Sequence, residues 1–163
     1  MIKYKLYLYQ NTIQIKSTSI IIKQFKSIQD SQVINSNQFI KEFKTNFKKG
    51  INFFLPKLLT IYLNSLLNEM IIQYYTSLFE EFNFFNIKII SIATLLNNKN
   101  TIIEDQNYYY YIDSEFIKIP YNLSLQFIPI LNKQKLKYIG SNKLPISNYY
   151  TYQNPLSTII KLI

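Results

Sequence analysis

The sequence lacks three of the residue types on which most active sites depend. It has no Cys and no His, and every one of its 18 basic residues is Lys. These absences exclude disulfides, Cys-ligated metal centres, a Ser-His-Asp triad, an imidazole base and an arginine clamp on phosphate. Two Gly, Gly50 and Gly140, cannot form a Gly-rich phosphate-binding loop. The composition therefore predicts a protein that is not an enzyme, without catalytic residues, metal ligands or a cofactor.

Nine carboxylates are left for acid–base or metal chemistry, and only two pairs of them are adjacent. Glu80-Glu81 lies near the end of a predicted helix, and Glu104-Asp105 flanks a predicted turn. Neighbouring side chains on a helix point about 100° apart, so adjacency does not make a general acid/base pair. We expect neither pair to be catalytic.

Residues with A- and T-rich codons dominate the chain. Ile occurs 29 times and Lys and Asn 18 times each, whereas Ala and Val each occur once. Apolar residues make up 48% of the 163 residues, which is ample for a core and suits one domain with a tail. Because codon bias alone can enrich Lys, the net charge of +9 is a weak indication of function.

The charge is concentrated near the amino terminus. Residues 1–57 hold ten Lys against two carboxylates, residues 58–98 are net −2, and residues 99–163 are net +3. Lys41, Lys44 and Lys48 follow helical spacing, so they share one face of the helix predicted at about 37–49. That face is either a phosphate-contacting surface or an ordinary solvated helix face. The candidate nucleic-acid-binding residues are Lys3, Lys5, Lys41, Lys44, Lys48 and Lys49.

Hydrophobic periodicity predicts an α+β fold. Alternation over residues 2–9 and 12–16 indicates an N-terminal β-hairpin. Helices are predicted at about 37–49, where Ser36 or Asn37 can cap a Phe stripe, and at about 56–82. A β-rich C-terminal half follows, in which residues 108–112 are predicted to pair with 115–119 across Asp113-Ser114 and residues 123–128 alternate like a strand, and an extended tail ends it. We expect a single α+β domain over 1–140, with a basic N-terminal third, and an extended tail over 141–163.

The predicted helix at 56–82 raises the question of a membrane span. Its only internal charge is Glu69, and its length suits a bilayer. However, polar residues recur along it every three to four positions, which is costly in lipid. The pattern favours a buried or partner-facing amphipathic helix over a transmembrane one.

The run Tyr108–Tyr111 has two interpretations. Phenol rings can stack on nucleic-acid bases, but in a strand alternate rings point to opposite faces, so some enter a core. Structural packing is the favoured interpretation.

The runs IIIK (20–23), NNKN (97–100) and YYYYI (108–112) resemble the fast-evolving reading frames of ciliate mitochondrial genomes. The resemblance is one of composition and covers the whole chain; no motif identifies a family. It implies a mitochondrial protein, in the matrix or alternatively at the inner membrane. It also implies one of two groups: divergent mitochondrial ribosomal proteins, or subunits of respiratory and ATP-synthase complexes.

Between these groups, the basic N-terminal third and the lack of catalytic residues favour a non-catalytic structural component of the mitochondrial ribosome. Its partners would be ribosomal RNA, bound through the Lys-rich region, and neighbouring proteins of a large assembly. The alternative is an accessory subunit of a respiratory-chain or ATP-synthase membrane complex, in contact with membrane subunits. Neither role involves a small-molecule substrate.

Overall fold

The chain divides into two compact units, with the boundary between Ile92 and Ala93. The computed structural model describes residues 1–96, 100–113, 115–131, 136–140, 144 and 149–152. Helices and strands are mixed in it, so the α+β class predicted from periodicity is confirmed. A single domain over 1–140 was expected, whereas the units are residues 1–92 and 93–163.

The first unit is a five-stranded sheet with two helices against one face. Its strand order is β3-β2-β1-β6-β7. The first three strands are antiparallel neighbours, and β6 and β7 run parallel to β1. Its elements in chain order are β1 (Lys3–Tyr9), β2 (Thr12–Lys16), β3 (Ile20–Gln24), β4 (Ile28–Gln29), β5 (Gln32–Val33), α1 (Ser36–Phe47), β6 (Lys57–Leu63), α2 (Glu69–Glu80) and β7 (Phe84–Ser91).

Sequence alternation correctly predicts the first hairpin. Leu6 and Leu8 are fully buried against the helices, whereas Lys5, on the opposite face of β1, is exposed. The turn at Gln10 and Asn11 connects β1 to β2, and Gln10 adopts the left-handed backbone region, with φ of 54°. The two-residue period of a half-buried strand thus fixes the register of the pair.

Helix α1 forms where the Phe stripe predicts it, one residue earlier than expected. Asn35, rather than Ser36 or Asn37, is the N-cap, and its side-chain oxygen accepts a hydrogen bond from the Gln38 amide at 3.0 Å. Such a cap satisfies one of the amides that a helix start leaves unpaired. Three Phe side chains from this helix enter the core: Phe39, Phe43 and Phe47.

The long helix predicted at 56–82 is wrong in its first half. Residues 57–63 form strand β6, and α2 begins at Glu69, capped by Asn68. Strand β6 lies between β1 and β7 and has buried side chains on both faces. A central parallel strand of this kind reads as a continuous apolar run without alternation, which mimics a buried helix.

The second unit is a sheet in the order β10-β9-β8-β11-β12. The predicted pairing of residues 108–112 with 115–119 is confirmed, with Tyr111 opposite Ile117. A strand expected around 123–128 is instead helical. After α3 (Ile92–Leu95), the elements are β8 (Thr101–Glu104), β9 (Tyr108–Ile112), β10 (Phe116–Pro120), a 3₁₀ turn at Tyr121–Leu123, α4 (Ser124–Leu131), β11 (Leu136–Ile139) and β12 (Tyr149–Tyr152).

The two units repeat one topology. In each unit, three antiparallel strands come first, and a helix follows them. The fourth strand of the sheet then pairs parallel to the first strand, as β6 does with β1 and β11 with β8. The fifth strand pairs parallel to the fourth. The turn after the first strand contains Gln-Asn in both units, at Gln10-Asn11 and at Gln106-Asn107. The sequence itself shows no repeat, so the duplication lies in strand order.

The expected tail, 141–163, falls largely outside the described residues. Of those described, 149–152 form β12, an edge strand parallel to β11. No helix in the described part of the chain is long and apolar enough to cross a membrane.

Glu42 ties α1 to the segment after β3. Its carboxylate accepts hydrogen bonds from the Ser27 hydroxyl at 2.7 Å, from the Ser27 and Lys26 amides and from the Gln38 side chain. Burial raises the pKa of the Glu42 carboxyl, but these hydrogen bonds outweigh it and hold the pKa below the ordinary 4.5. The interaction therefore stabilises the fold most when the carboxyl is ionised.

We expect Glu42→Ala to lower the free energy of unfolding by about 1–2 kcal/mol at neutral pH, because several donors lose a charged acceptor. A folded-state pKa below 4.5 means that the contribution is complete above that pH and is lost as pH falls through the folded value. Urea denaturation at neutral and acidic pH checks both statements. The exposed Lys44→Ala on the same helix is the control, and a loss that persists unchanged in acid would contradict the assignment.

Candidate functional site

The six lysines predicted to bind nucleic acid do not form one surface. Lys3 and Lys5 are exposed on the face of β1 opposite Tyr4, Leu6 and Leu8, which contact the helix layer. The other four, on α1 or just after it, are exposed while the Phe side chains of α1 pack inward. The two groups therefore lie on opposite sides of the sheet, Lys3 and Lys5 on the face away from the helices and the other four on the helix side.

The tyrosine run is used for packing. Tyr109, Tyr110 and Tyr111 are all buried, and Tyr109 and Tyr111 belong to the hydrophobic cluster of the second unit. The Tyr109 ring lies 4.5 Å from that of Tyr121, centroid to centroid. Buried rings cannot stack on a base, so the packing interpretation agrees with the structure.

The adjacent acidic pairs do not form a metal centre. Glu104 and Asp105 are both buried, and the Tyr138 hydroxyl donates to Glu104 Oε2 at 2.9 Å. Glu80 and Glu81 are exposed at the end of α2. Over the described parts of the chain, no group of three acidic side chains is placed to hold a metal ion.

The carboxyl ends of β1 and β6 carry a polar network, at the edge where open α/β sheets often bind ligands. Tyr7 Oη donates to Asn64 Oδ1 at 3.0 Å, and Asn64 Nδ2 donates to Ser31 Oγ at 3.3 Å. The Gln10 amide also donates to Ser31 Oγ, at 2.9 Å. These groups satisfy one another, and the adjoining cavity measures about 150 Å³. That volume is below the roughly 300 Å³ at which ligand pockets usually begin.

The opposite edge of the same sheet has a larger and far less polar cavity. It measures about 320 Å³ and lies where β1 and β6 begin. Tyr4, at the core, and Leu55 and Pro56, in the loop before β6, are among its lining residues. The full lining is Met1, Ile2, Tyr4, Asn52, Leu55, Pro56 and Lys57. We call this cavity the Lys57 pocket.

Lys57 is the one charged side chain in this lining, and it is only 2% exposed. It is the first residue of β6. Because successive side chains of a strand point to opposite faces, Lys57 shares a face with Leu59 and Ile61, which is the core face of the sheet. Its ammonium donates to the carbonyl oxygens of Asn52, at 2.8 Å, and Leu55, at 2.6 Å. Both acceptors come from pocket-lining residues.

The Lys57 ammonium also lies near two aromatic rings. Nζ lies 5.0 Å from the Phe84 ring centroid and 5.9 Å from that of Phe53. Among the described residues no carboxylate pairs with it. Burial therefore lowers the pKa of Lys57 from its ordinary 10.5. A buried cation whose partners are carbonyls and rings still lacks a counter-ion.

Sequence analysis missed this site. Lys57 was counted only as one of ten N-terminal lysines, and the segment after it was assigned to a helix. Once residues 57–63 are assigned to a strand, Lys57 falls on the same face as Leu59, Ile61 and Leu63, all of which are buried. A lysine in phase with core residues of a strand is expected to be buried itself.

No family model and no curated protein matches the sequence. Solved structures resemble it at low identity. A Bacteroides thetaiotaomicron VPI-5482 protein described as having an actin-like ATPase fold and unknown function is 10% identical, with a TM-score of 0.48, over 87% of this chain and 83% of that one. YeaZ from Pseudomonas aeruginosa is 6% identical, with a TM-score of 0.46, over 98% and 90%. The Aquifex aeolicus PPX-GPPA enzyme is 11% identical, with a TM-score of 0.38, over 86% and 68%.

The prediction of a ribosomal structural protein is wrong. The structures that resemble this chain are described as an actin-like ATPase-fold protein, YeaZ and a PPX-GPPA enzyme, and none of these three is a ribosomal protein. We therefore propose neither that role nor its respiratory-complex alternative. With TM-scores below 0.5, these likenesses assign no ligand, substrate or activity to this chain.

Proposed function

We propose that this protein is a binding module for a small amphipathic carboxylate, with the carboxylate at Lys57 and the apolar body in the Lys57 pocket. The observation that carries the proposal is a 2% exposed lysine lining an apolar cavity, with backbone carbonyls in place of an acidic partner.

The charge of Lys57 favours an anionic ligand. An ammonium has three N–H donors, and two of them point at the carbonyl oxygens of Asn52 and Leu55. A ligand carboxylate on the third would make a charge-assisted hydrogen bond in a weakly screened site. It would also supply the negative charge that the surrounding described residues do not provide.

The rest of the pocket favours an apolar ligand body. Met1, Ile2 and Leu55 present aliphatic surface, and Tyr4 and Pro56 add ring faces. A volume of about 320 Å³ falls at the small end of ligand cavities. A medium-chain carboxylate such as octanoate is of this size class and matches both the charge and the apolar wall.

The test compares octanoate with octanol on the wild-type protein and on Lys57→Met, by titration calorimetry or NMR. We expect the wild type to bind octanoate more tightly than octanol. In Lys57→Met we expect the octanoate affinity to fall about tenfold or more, and the octanol affinity to change little. Met keeps much of the length of Lys without its charge, so the pocket wall stays filled.

Lys49→Met is the matched control, because Lys49 is exposed and is absent from the pocket lining. It should leave octanoate binding unchanged. The comparison of the two ligands on the wild type remains informative even if Lys57→Met does not fold. Equal affinities of the wild type for octanoate and octanol, or no binding of either, would contradict the proposal.

A further inference from the structure

The hydrogen bonds of Lys57 also match the neutral form of its side chain. A neutral amine has two N–H donors and one lone pair, whereas an ammonium has three donors and no lone pair. Lys57 Nζ has two acceptors in the protein, the carbonyl oxygen of Asn52 at 2.8 Å and that of Leu55 at 2.6 Å. Both N–H groups of the neutral amine are therefore satisfied, and its lone pair takes part in neither hydrogen bond.

The surroundings of this nitrogen favour the neutral amine over the ammonium. Burial lowers the pKa of Lys57 from its ordinary 10.5. Within the described residues the partners of Nζ are carbonyl oxygens and the rings of Phe53 and Phe84, and none of them is a carboxylate. The neutral amine is the nucleophilic form of lysine, so a desolvated lysine of this kind is more reactive than one with the ordinary pKa.

The Lys57 pocket limits which electrophiles reach the amine. It measures about 320 Å³, and its described lining includes the aliphatic side chains of Met1, Ile2 and Leu55. A polar electrophile would lose hydration on entering this cavity, whereas an aliphatic chain gains free energy by leaving water. A medium-chain aldehyde carries its electrophilic carbon at one end of such a chain. Burial of the chain therefore raises the local concentration of the carbonyl group at the lysine.

We propose that Lys57 is a covalent attachment site for medium-chain aldehydes, which it holds as a Schiff base. The inference rests on the proposed function in one respect, because the aldehyde chain uses the same apolar wall as the carboxylate ligand. The nitrogen lone pair attacks the carbonyl carbon, forms the C–N bond and gives a carbinolamine. The aldehyde oxygen then leaves as water with the two hydrogens of the amine, and the C=N bond forms. The condensation is redox-neutral and needs no further reactant.

Reductive trapping on the wild-type protein tests the attachment. The chain is incubated with octanal and sodium cyanoborohydride, which reduces the Schiff base to a stable secondary amine, and peptide mass spectrometry follows each alkylated lysine. We expect Lys57 to be alkylated about tenfold or more faster than Lys49, although Lys57 is buried and Lys49 is exposed. Formaldehyde has no chain to bury and should show a much smaller preference. Both rates come from one sample of the wild type, so the comparison requires no variant to fold.

Leu55→Ser tests the contribution of the apolar wall. Leu55 is 56% exposed, and its backbone carbonyl group, which accepts from Lys57 Nζ, is retained in the variant. We expect the alkylation of Lys57 by octanal to slow about fivefold or more, and its alkylation by formaldehyde to stay unchanged. Leu66→Ser is the matched control, because Leu66 is 63% exposed and is absent from the pocket lining. It should change neither rate.

Two results would overturn the aldehyde site: alkylation of Lys57 by octanal no faster than that of Lys49, or the same preference for Lys57 with formaldehyde as with octanal. Added octanoate should slow the octanal reaction at Lys57 and leave the reaction at Lys49 unchanged. The two proposals for this pocket fail separately. Octanoate binding without preferred alkylation of Lys57 contradicts the aldehyde site alone, whereas preferred alkylation without octanoate binding contradicts the carboxylate site alone.

Discussion

Phe43→Ala is expected to lower the free energy of unfolding of the first unit by about 3–5 kcal/mol, the range for a phenylalanine truncated in a closed core. The Phe43 side chain is fully buried on the inner face of α1. Its ring centroid lies 4.3 Å from that of Phe82 and 4.8 Å from that of Phe47. It also contacts the rings of Phe25, Phe39, Phe53, Phe79 and Phe84.

The size of the effect follows from what surrounds the ring. Rings from both helices, from β7 and from three loops meet at Phe43, so no single neighbour can move in to fill the space without losing contacts of its own. Phe43→Leu keeps part of the volume and should lose less. Urea denaturation followed by circular dichroism measures both variants, with Lys44→Ala as the exposed control on the same helix. A loss of under about 1 kcal/mol in Phe43→Ala would contradict this packing.

Local patterns predicted the elements that local physics determines. The β1–β2 hairpin follows from alternation, α1 from the spacing of its Phe residues, and the β9–β10 pair from two strands flanking Asp113. Helix α1 buries one row of Phe side chains, and in β1 the exposed Lys3 and Lys5 alternate with the buried Tyr4 and Leu6, so both elements imprint a period on the sequence. The class of the fold could therefore be predicted from the residues alone.

Hydrophobic periodicity does not identify a strand whose two faces are both buried, and it does not predict which strands pair in a sheet. Strand β6 has apolar side chains on both faces, so its sequence does not alternate between apolar and polar residues. The polar Asn64 and Asn68 suggested the polar stripe of a helix, but Asn64 follows the end of β6 and Asn68 is the N-cap of α2. The sequence also gave no indication that the two units share one strand order. Strand order depends on which strands pair through their backbones, and different residues stand opposite one another in the two units.

The prediction of a helix over residues 57–63 also hid the candidate site at Lys57. Composition drew attention to the number of lysines, yet the number says nothing about burial. The six lysines chosen as nucleic-acid contacts are all exposed, whereas Lys57, one residue from the predicted helix start at Pro56, is the buried one. Correct assignment of β6 would have placed Lys57 on the core face and singled it out as a charge in need of a partner.

Gly140→Ala is expected to destabilise the second unit by about 1–3 kcal/mol, the cost of forcing an extra methyl group into a packed core. A Cβ at this position would overlap the Glu104 carboxylate and the hydroxyl end of the Tyr138 ring. Tyr138 is fully buried and donates to Glu104 Oε2 at 2.9 Å. Burial, followed by the neighbouring Glu104 charge, raises the pKa of Tyr138, so the phenol stays protonated as the donor.

Gly50→Ala is the matched control for this prediction. The backbone of neither glycine lies in the left-handed region, so Ala is compatible with both in conformation. A Cβ at Gly50 would come too close to the terminal Cδ1 of Ile21, a half-buried side chain that can rotate away, and would otherwise meet the Phe47 carbonyl oxygen at an ordinary contact distance. We therefore expect Gly50→Ala to stay within about 0.5 kcal/mol of the wild type. Thermal and urea unfolding of the two variants compares them directly. Equal stability would mean that the Glu104–Tyr138 hydrogen bond is not closed over Gly140.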